Sequence, residues 1–221
     1  MITIHHLENS RSQRVIWLCE ALGVEYEIKH YKRNPITQLA GKDFKKLHPL
    51  GKSPAISYEG KVYVESAAIF ELILDVFDTE NKFRPAKEAA NYRDHVFWMH
   101  FAEGSLMGPL LMRFMHTMVQ SKVPFFIKPV AKAIFAGIEQ AYLKDTIGSM
   151  FDFIEDTLSK SKFLNGDQIS AVDILMSFPL EVSVGGRADT SKYPNIVRYV
   201  DTFKADPNYK KALEVGGPYK Y

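Results

Sequence analysis

The sequence predicts a chain of two parts, an α/β unit over residues 1–79 followed by an all-α unit over residues 88–221. Three observations carry this reading. Short strand-like runs alternate with helical patterns up to about residue 78, whereas the apolar spacing is helical nearly throughout after residue 87. Between them Thr79 to Lys87, with Asn81 and Pro85, is polar and turn-prone and reads as a linker. The 221 residues, 46% hydrophobic and 13% aromatic, suffice for one to two domains with a substantial core and exclude disorder as the main state.

Element by element, Ile2 to Leu7 reads as a buried strand. Val15, Leu18, Cys19 and Leu22 recur at helical spacing before Gly23 closes the helix. Tyr26 to Tyr31 is a second strand, and an irregular stretch follows. Ala55 to Ser57 and Val62 to Val64 flank Glu59-Gly60 as a hairpin. Ser66 is expected to cap a helix that buries Ile69, Leu72, Ile73 and Val76. The order βαβ, then ββα, with a proline segment before the hairpin, matches a thioredoxin-like half. Two long helical stretches are expected at about 88–121 and 125–159, separated at Pro124; Ala131, Ile134, Phe135, Ile138 and Tyr142 form an apolar stripe in the second. A helix over Ser170 to Val184 contains Pro179, which should bend it, and Pro194 and Asp206-Pro207 open two shorter helices.

Several function classes fall away. Twenty-eight Lys plus Arg against 26 Asp plus Glu give a net charge of +2, too balanced to predict a nucleic-acid partner. A single cysteine, Cys19, excludes internal disulfides and CxxC redox pairs and fits a reducing compartment; with a start that lacks an apolar signal core, it predicts a cytoplasmic protein. Gly51-Lys52-Ser53 resembles the end of a phosphate-binding loop, but Lys46 stands where that loop needs glycine and Pro54 follows. His5 and His6 point to opposite faces of a strand, so no metal site is expected. Gly148-Ser149 lacks the second glycine of a nucleophile elbow.

Three motifs converge instead. Leu7-Glu8-Asn9-Ser10-Arg11-Ser12-Gln13-Arg14 places hydroxyls and an amide at a helix N-terminus, where the helix dipole attracts an anion; Ser10 and Gln13 also have the spacing of a capping box. His48-Pro49-Leu50-Gly51-Lys52-Ser53-Pro54 leads into the third strand, where a cis proline could present the Ser53 backbone to an extended peptide, with His48 and Lys52 able to meet a carboxylate or simply solvated. Glu65-Ser66, at the next helix start, can cap the helix or hold the carboxylate and ammonium of an amino-acid head.

These three motifs, in this order, resemble the N-terminal domain of cytosolic glutathione transferases, and the likeness covers essentially the whole chain. Gly166-Asp167 and Ser170-Ala171-Val172-Asp173 resemble that family's capping box and adjacent turn, and the wording HPLGKSP and EGSL is most similar to a bacterial and fungal branch. The resemblance implies glutathione as co-substrate, with Ser10 donating to its sulfur and Asn9 or Ser12 as fallbacks. It implies a cis Pro54, Ser53 pairing through its backbone with the cysteinyl part, Glu65 and Ser66 holding the γ-glutamyl head, and His48 and Lys52 facing the glycine carboxylate. Glu103 looks like the acidic residue that some classes project across a homodimer toward the partner's glutathione. No cysteine stands in the first loop, so protein-thiol redox chemistry is disfavoured and Cys19 is assigned to the core.

The expected function is therefore activation of the glutathione thiol for conjugation to apolar electrophiles, which would bind between the two parts beside Phe101 to Met118, where Met107, Met112, Met115 and Met118 gather. That methionine pattern equally describes a core stripe. A glutathione-dependent peroxidase and a non-catalytic partner-binding relative are the alternatives. Membrane association through Phe125-Phe126, Lys128 and Lys132 is disfavoured because its apolar run is interrupted.

Overall fold

The computed structural model describes residues 1–187 and 189–219. Its first half is a four-stranded mixed sheet in the order β2-β1-β3-β4. β1 (Ile2–Leu7) runs parallel to β2 (Tyr26–Tyr31) and antiparallel to β3 (Ala55–Tyr58), which forms a hairpin with β4 (Lys61–Val64). Glu59 and Gly60 both take positive φ in that hairpin, the two-residue turn whose twist suits paired strands. Between β1 and β2 lies α1 (Gln13–Leu22), closed by Gly23 at φ 68°, a left-handed position that a side chain would strain. The stretch expected to be irregular contains a short helix, α2 (Lys42–Leu47), and α3 (Ser66–Phe77) completes this half.

The second half is helical: α4 (Tyr92–His100), α5 (Met107–Lys122), α6 (Lys128–Ile138), α7 (Lys144–Lys160), α8 (Ala171–Val182), α9 (Pro194–Lys204) and α10 (Pro207–Gly216). Neither long stretch is one regular helix. Wide π-helical turns at Phe101–Leu106 and Glu139–Leu143 join α4 to α5 and α6 to α7. The first has a physical reason in Pro109, whose ring would collide with the carbonyl four residues earlier in a regular helix, a conflict that a widened preceding turn relieves. Pro179 lies inside α8, as the sequence suggests.

One continuous apolar cluster joins the halves. Ile4, Ile16, Leu18, Ile56, Ile69 and Ile73 from the sheet side meet Trp98, Leu106, Phe151, Leu175, Tyr199 and Phe203 from the helices, all buried. α1 is the hinge of this packing, because α8 and α10 both dock on it. Trp17 of α1 sits against Phe203 and Tyr209 at ring distances of 5.7 and 5.0 Å and donates its indole N–H to Asp206 at 3.2 Å. The stripe expected along α6 and the turn after it is only partly covered: Ala131 is buried, while Ile134 and Tyr142 stand at least half open to solvent.

Candidate active site

The loop from β1 to α1 delivers the first candidate group. Asn9 takes φ 49°, a left-handed conformation that asparagine tolerates better than most residues. Arg33, just past β2, holds this loop by donating to the Glu8 carbonyl at 3.1 Å and the Asn9 carbonyl at 2.9 Å. Ser10 follows, buried, with its Oγ 2.8 Å from Ser12 Oγ and 2.9 Å from Ser53 Oγ. The capping box open to Ser10 and Gln13 does not form. Gln13 instead donates from Nε2 to the Ala212 carbonyl, drawn away by α10, and Ser12 holds the N-cap position without a side-chain capping bond.

Ser53 comes from the segment before β3, and the Ser53–Pro54 peptide bond is cis. Its hydroxyl thus places the second motif against the first. His48 is half-buried, with its Nδ1 accepting from the Leu50 N–H at 3.4 Å, and Lys52 is exposed.

The third motif is tied to the same loop by charge. Glu65, not Ser66, occupies the N-cap of α3, at φ 72° and without a capping bond; a non-glycine residue there is strained, a feature that concentrates at functional positions. Ser66 opens the helix and is buried. The expected cap is absent because the Ser66 Oγ accepts instead from Arg14 Nη2 at 2.8 Å. Arg14 is almost completely buried and also donates to the Leu175 carbonyl and to Glu103 Oε1 at 2.7 Å, while Arg11 donates to Glu103 Oε2 at 2.6 Å. Both Glu103 oxygens are therefore committed within their own chain. Burial pushes the Glu103 carboxyl up, but the Arg14 and Arg11 guanidiniums outweigh it and hold its pKa below the usual glutamate value. A buried arginine without that counter-ion would be costly.

Other singled-out residues lie outside this cluster. His5 bonds Tyr31 and Ser57 on one face of β1 and His6 bonds Ser12 and Gly216 on the other. Cys19 is fully buried, and burial pushes its thiol up to about 12, so it is inert core. Met107 and Met118 are half-buried, and Met112 and Met115 are about two-fifths exposed, so these methionines are not a closed core stripe. Two shallow clefts, of about 350 Å³ beside Phe163 and Phe203 and about 440 Å³ beside Glu20 and Tyr26, share no residue with the cluster. Among the described residues no group of three His, Cys, Asp or Glu could hold a metal ion, and no helix is long and apolar enough to cross a membrane.

Sequence reasoning missed four members of this arrangement: His6, Arg14, Arg33 and Gly216. Their partners are remote in the chain, with Arg14 and Leu175 separated by 161 positions and His6 and Gly216 by 210. The one local signal was an arginine interrupting the start of the buried face of α1.

Fold and cluster together define a class: a thioredoxin-like sheet with paired hydroxyls at one helix start, a buried arginine behind another, and a helical half packed on both. Comparison with known proteins narrows this class. Residues 1–75 match the family model for the glutathione S-transferase N-terminal domain and residues 114–207 that for its C-terminal domain. The chain is 34% identical to glutathione S-transferase 3 of Schizosaccharomyces pombe over 97% of its own length and 87% of that protein's. It is also 34% identical to glutathione S-transferase 1 of Saccharomyces cerevisiae, over 97% and 94%. A crystal structure of a glutathione S-transferase from Actinobacillus pleuropneumoniae superposes with a TM-score of 0.79 at 30% identity, covering 99% of this chain and 94% of that one. A glutathione transferase homologue from Lodderomyces elongisporus, solved with two glutathione molecules per subunit, shares the fold at a TM-score of 0.75 and 21% identity, covering 98% and 99%. The chain belongs to the glutathione S-transferase family.

Proposed function

We propose that this protein is a cytoplasmic, homodimeric glutathione transferase that binds glutathione across the Ser10, Ser53 and Ser66 cluster and presents its sulfur as thiolate to an apolar electrophile. The observation that carries the reading is the meeting of three separate chain segments at one place. Ser10 and Ser53 are hydrogen-bonded to each other beside the start of α1, while Arg14 reaches from α1 to Ser66 at the start of α3. In the bound state the sulfur lies at Ser10, where the hydroxyl and the positive end of the α1 dipole favour its anionic form. The Ser53 backbone pairs with the cysteinyl amide, and Ser66 with Glu65 holds the γ-glutamyl carboxylate and ammonium. His48 and Lys52 meet the glycine carboxylate. Asn9 and Ser12 are the alternative sulfur donors, and Ser12 is the less accessible because it is fully buried.

Glu103, in this reading, is the counter-ion of Arg14 and Arg11 rather than a ligand contact. The partly exposed methionines Met112 and Met115 give the electrophile an adaptable apolar wall. Phe97 and Phe153, packed at 5.7 Å and both nearly half exposed, provide apolar area for a second copy. The single reduced cysteine agrees with a cytoplasmic location.

Calorimetric titration with glutathione, followed by turnover assays with an activated aryl halide and with an organic hydroperoxide, tests this. Binding with conjugation of the halide is expected. Turnover of the hydroperoxide alone makes the protein a peroxidase using the same thiolate, and absence of glutathione binding overturns the reading.

A further inference from the structure

The hydroxyls at the candidate site do not end at the site; they continue inward as a chain of hydrogen bonds whose direction is fixed. At the inner end, His6 Nε2 lies 2.7 Å from the Gly216 carbonyl oxygen. A carbonyl has no hydrogen to give, so Nε2 carries the proton and donates it. In the neutral imidazole Nδ1 is then an acceptor, and Ser12 Oγ, 2.9 Å away, must donate to it. Ser12 has one hydrogen, so across the 2.8 Å contact Ser10 must donate to Ser12. By the same count Ser53 must donate to Ser10 across 2.9 Å. At rest every proton in this chain points away from the place where a sulfur would sit.

Ser10 can donate to a thiolate only if the chain reverses, and reversal needs one more proton at its inner end. We propose that His6 is the proton-holding residue of this site, taking the glutathione thiol proton at Nδ1 through Ser10 and Ser12. The inference rests on the functional reading above. In the step, the thiol S–H bond breaks with its electron pair left on sulfur. Its proton goes to Ser10 Oγ, Ser10's own proton to Ser12 Oγ, and Ser12's to His6 Nδ1. The imidazolium that results donates from Nε2 to Gly216 and from Nδ1 to Ser12, so both its hydrogens keep partners already in place, and Ser10 now donates to the thiolate. Conjugation consumes the thiolate, and the chain then returns to its resting direction as the proton leaves.

The setting of His6 keeps it neutral at rest, and the imidazolium forms only where the negative charge of a bound thiolate offsets the cost of burial. Burial, the largest influence, pushes it down to about 4; the Gly216 carbonyl opposes that, His30 on β2 lowers it further and Glu8 at the end of β1 raises it. The His30 ring faces it edge-on at 5.6 Å, and α1 contributes the Ser12 hydroxyl. A thiolate at the far end of the chain adds a negative charge that favours the protonated imidazole. Gly216 itself packs against the Gln13 side-chain amide, which a Cβ at that position would meet.

The test counts protons. Glutathione is added to the intact protein near pH 7 in weak buffer, and thiolate is read by ultraviolet absorbance while released protons are read with an indicator dye. In the wild type, thiolate is expected to form with little proton release, the proton appearing in solution only when an electrophile is added. His6→Gln can still donate to Gly216 and accept from Ser12 but cannot hold the extra proton. It, and Ser12→Ala, should either form several-fold less thiolate or release about one proton per thiolate formed. One proton released per thiolate in the wild type overturns the relay while leaving thiolate activation standing. Glutathione binding without any thiolate overturns the activation reading and the relay with it.

Discussion

At the scale of single residues, ligand binding depends on which hydroxyls keep a proton for a ligand. Arg14 donates to the Ser66 Oγ, so the Ser66 hydrogen is left for an acceptor, and a carboxylate placed there gains that hydrogen bond with a buried positive charge behind it. Ser66→Ala is therefore expected to weaken glutathione binding about tenfold, about 1.4 kcal/mol, with a smaller effect on kcat. Calorimetry on the two proteins checks this, and an unchanged Kd would place the γ-glutamyl head elsewhere. Ser10, Ser53 and Ser66 were legible in the sequence because each is a hydroxyl at the start of an element, a local property. His6 and Arg14 were not, because a histidine in a strand or an arginine in a first helical turn acquires meaning only from partners contributed by the far end of the chain.

At the scale of elements, α8 shows how a buried carboxylate fixes a helix start. Asp173 is fully buried, and its Oδ2 accepts from the Ser170 N–H at 2.7 Å and the Ser170 hydroxyl at 2.8 Å. Its Oδ1 accepts from the Leu164 N–H at 3.0 Å and the Tyr199 hydroxyl at 2.9 Å. Asp173→Asn keeps the size but turns an amide N–H toward groups that donate. The expected loss is about 3 kcal/mol, seen as a fall of roughly 6–12 °C in Tm, and a loss below about 1 kcal/mol would contradict this role. The likeness of Ser170-Ala171-Val172-Asp173 to the family's capping box announced this cap in advance. By contrast α2 was invisible because six residues are too few to set a helical period, and the π turn at Phe101–Leu106 was hidden because its cause lies in the geometry around Pro109 rather than in any pattern of apolar residues.

At the scale of the whole molecule, one core spans both halves, and three imidazoles, those of His5, His6 and His95, are buried in it or at its edge. The order βαβ then ββα and the change to helices were readable from periodicity alone, whereas the docking of α8 and α10 on α1 depends on contacts no local pattern records. Burial brings His6 and His95 from 6.5 to about 4; at His95 the nearby Arg84 lowers it further and Asp78 opposes. Each is neutral when folded, while in the unfolded chain it takes up a proton near pH 6.5. The unfolded state thus binds more protons between pH 6.5 and 4, so stability is whole above that window and falls through it, by about 3 kcal/mol per imidazole. Denaturant unfolding at a series of pH values should show this slope, and His95→Leu should make it shallower by about one proton; an unchanged slope would remove His95 from the explanation. The central claim is that the cluster around Ser10 stabilises a sulfur anion. The most direct measurement is an ultraviolet pH titration of glutathione bound to the wild type and to Ser10→Ala. A bound thiol pKa well below the free value of ~8.5, rising in the variant, is expected. A bound pKa equal to the free value, or the same depression in both proteins, would contradict it.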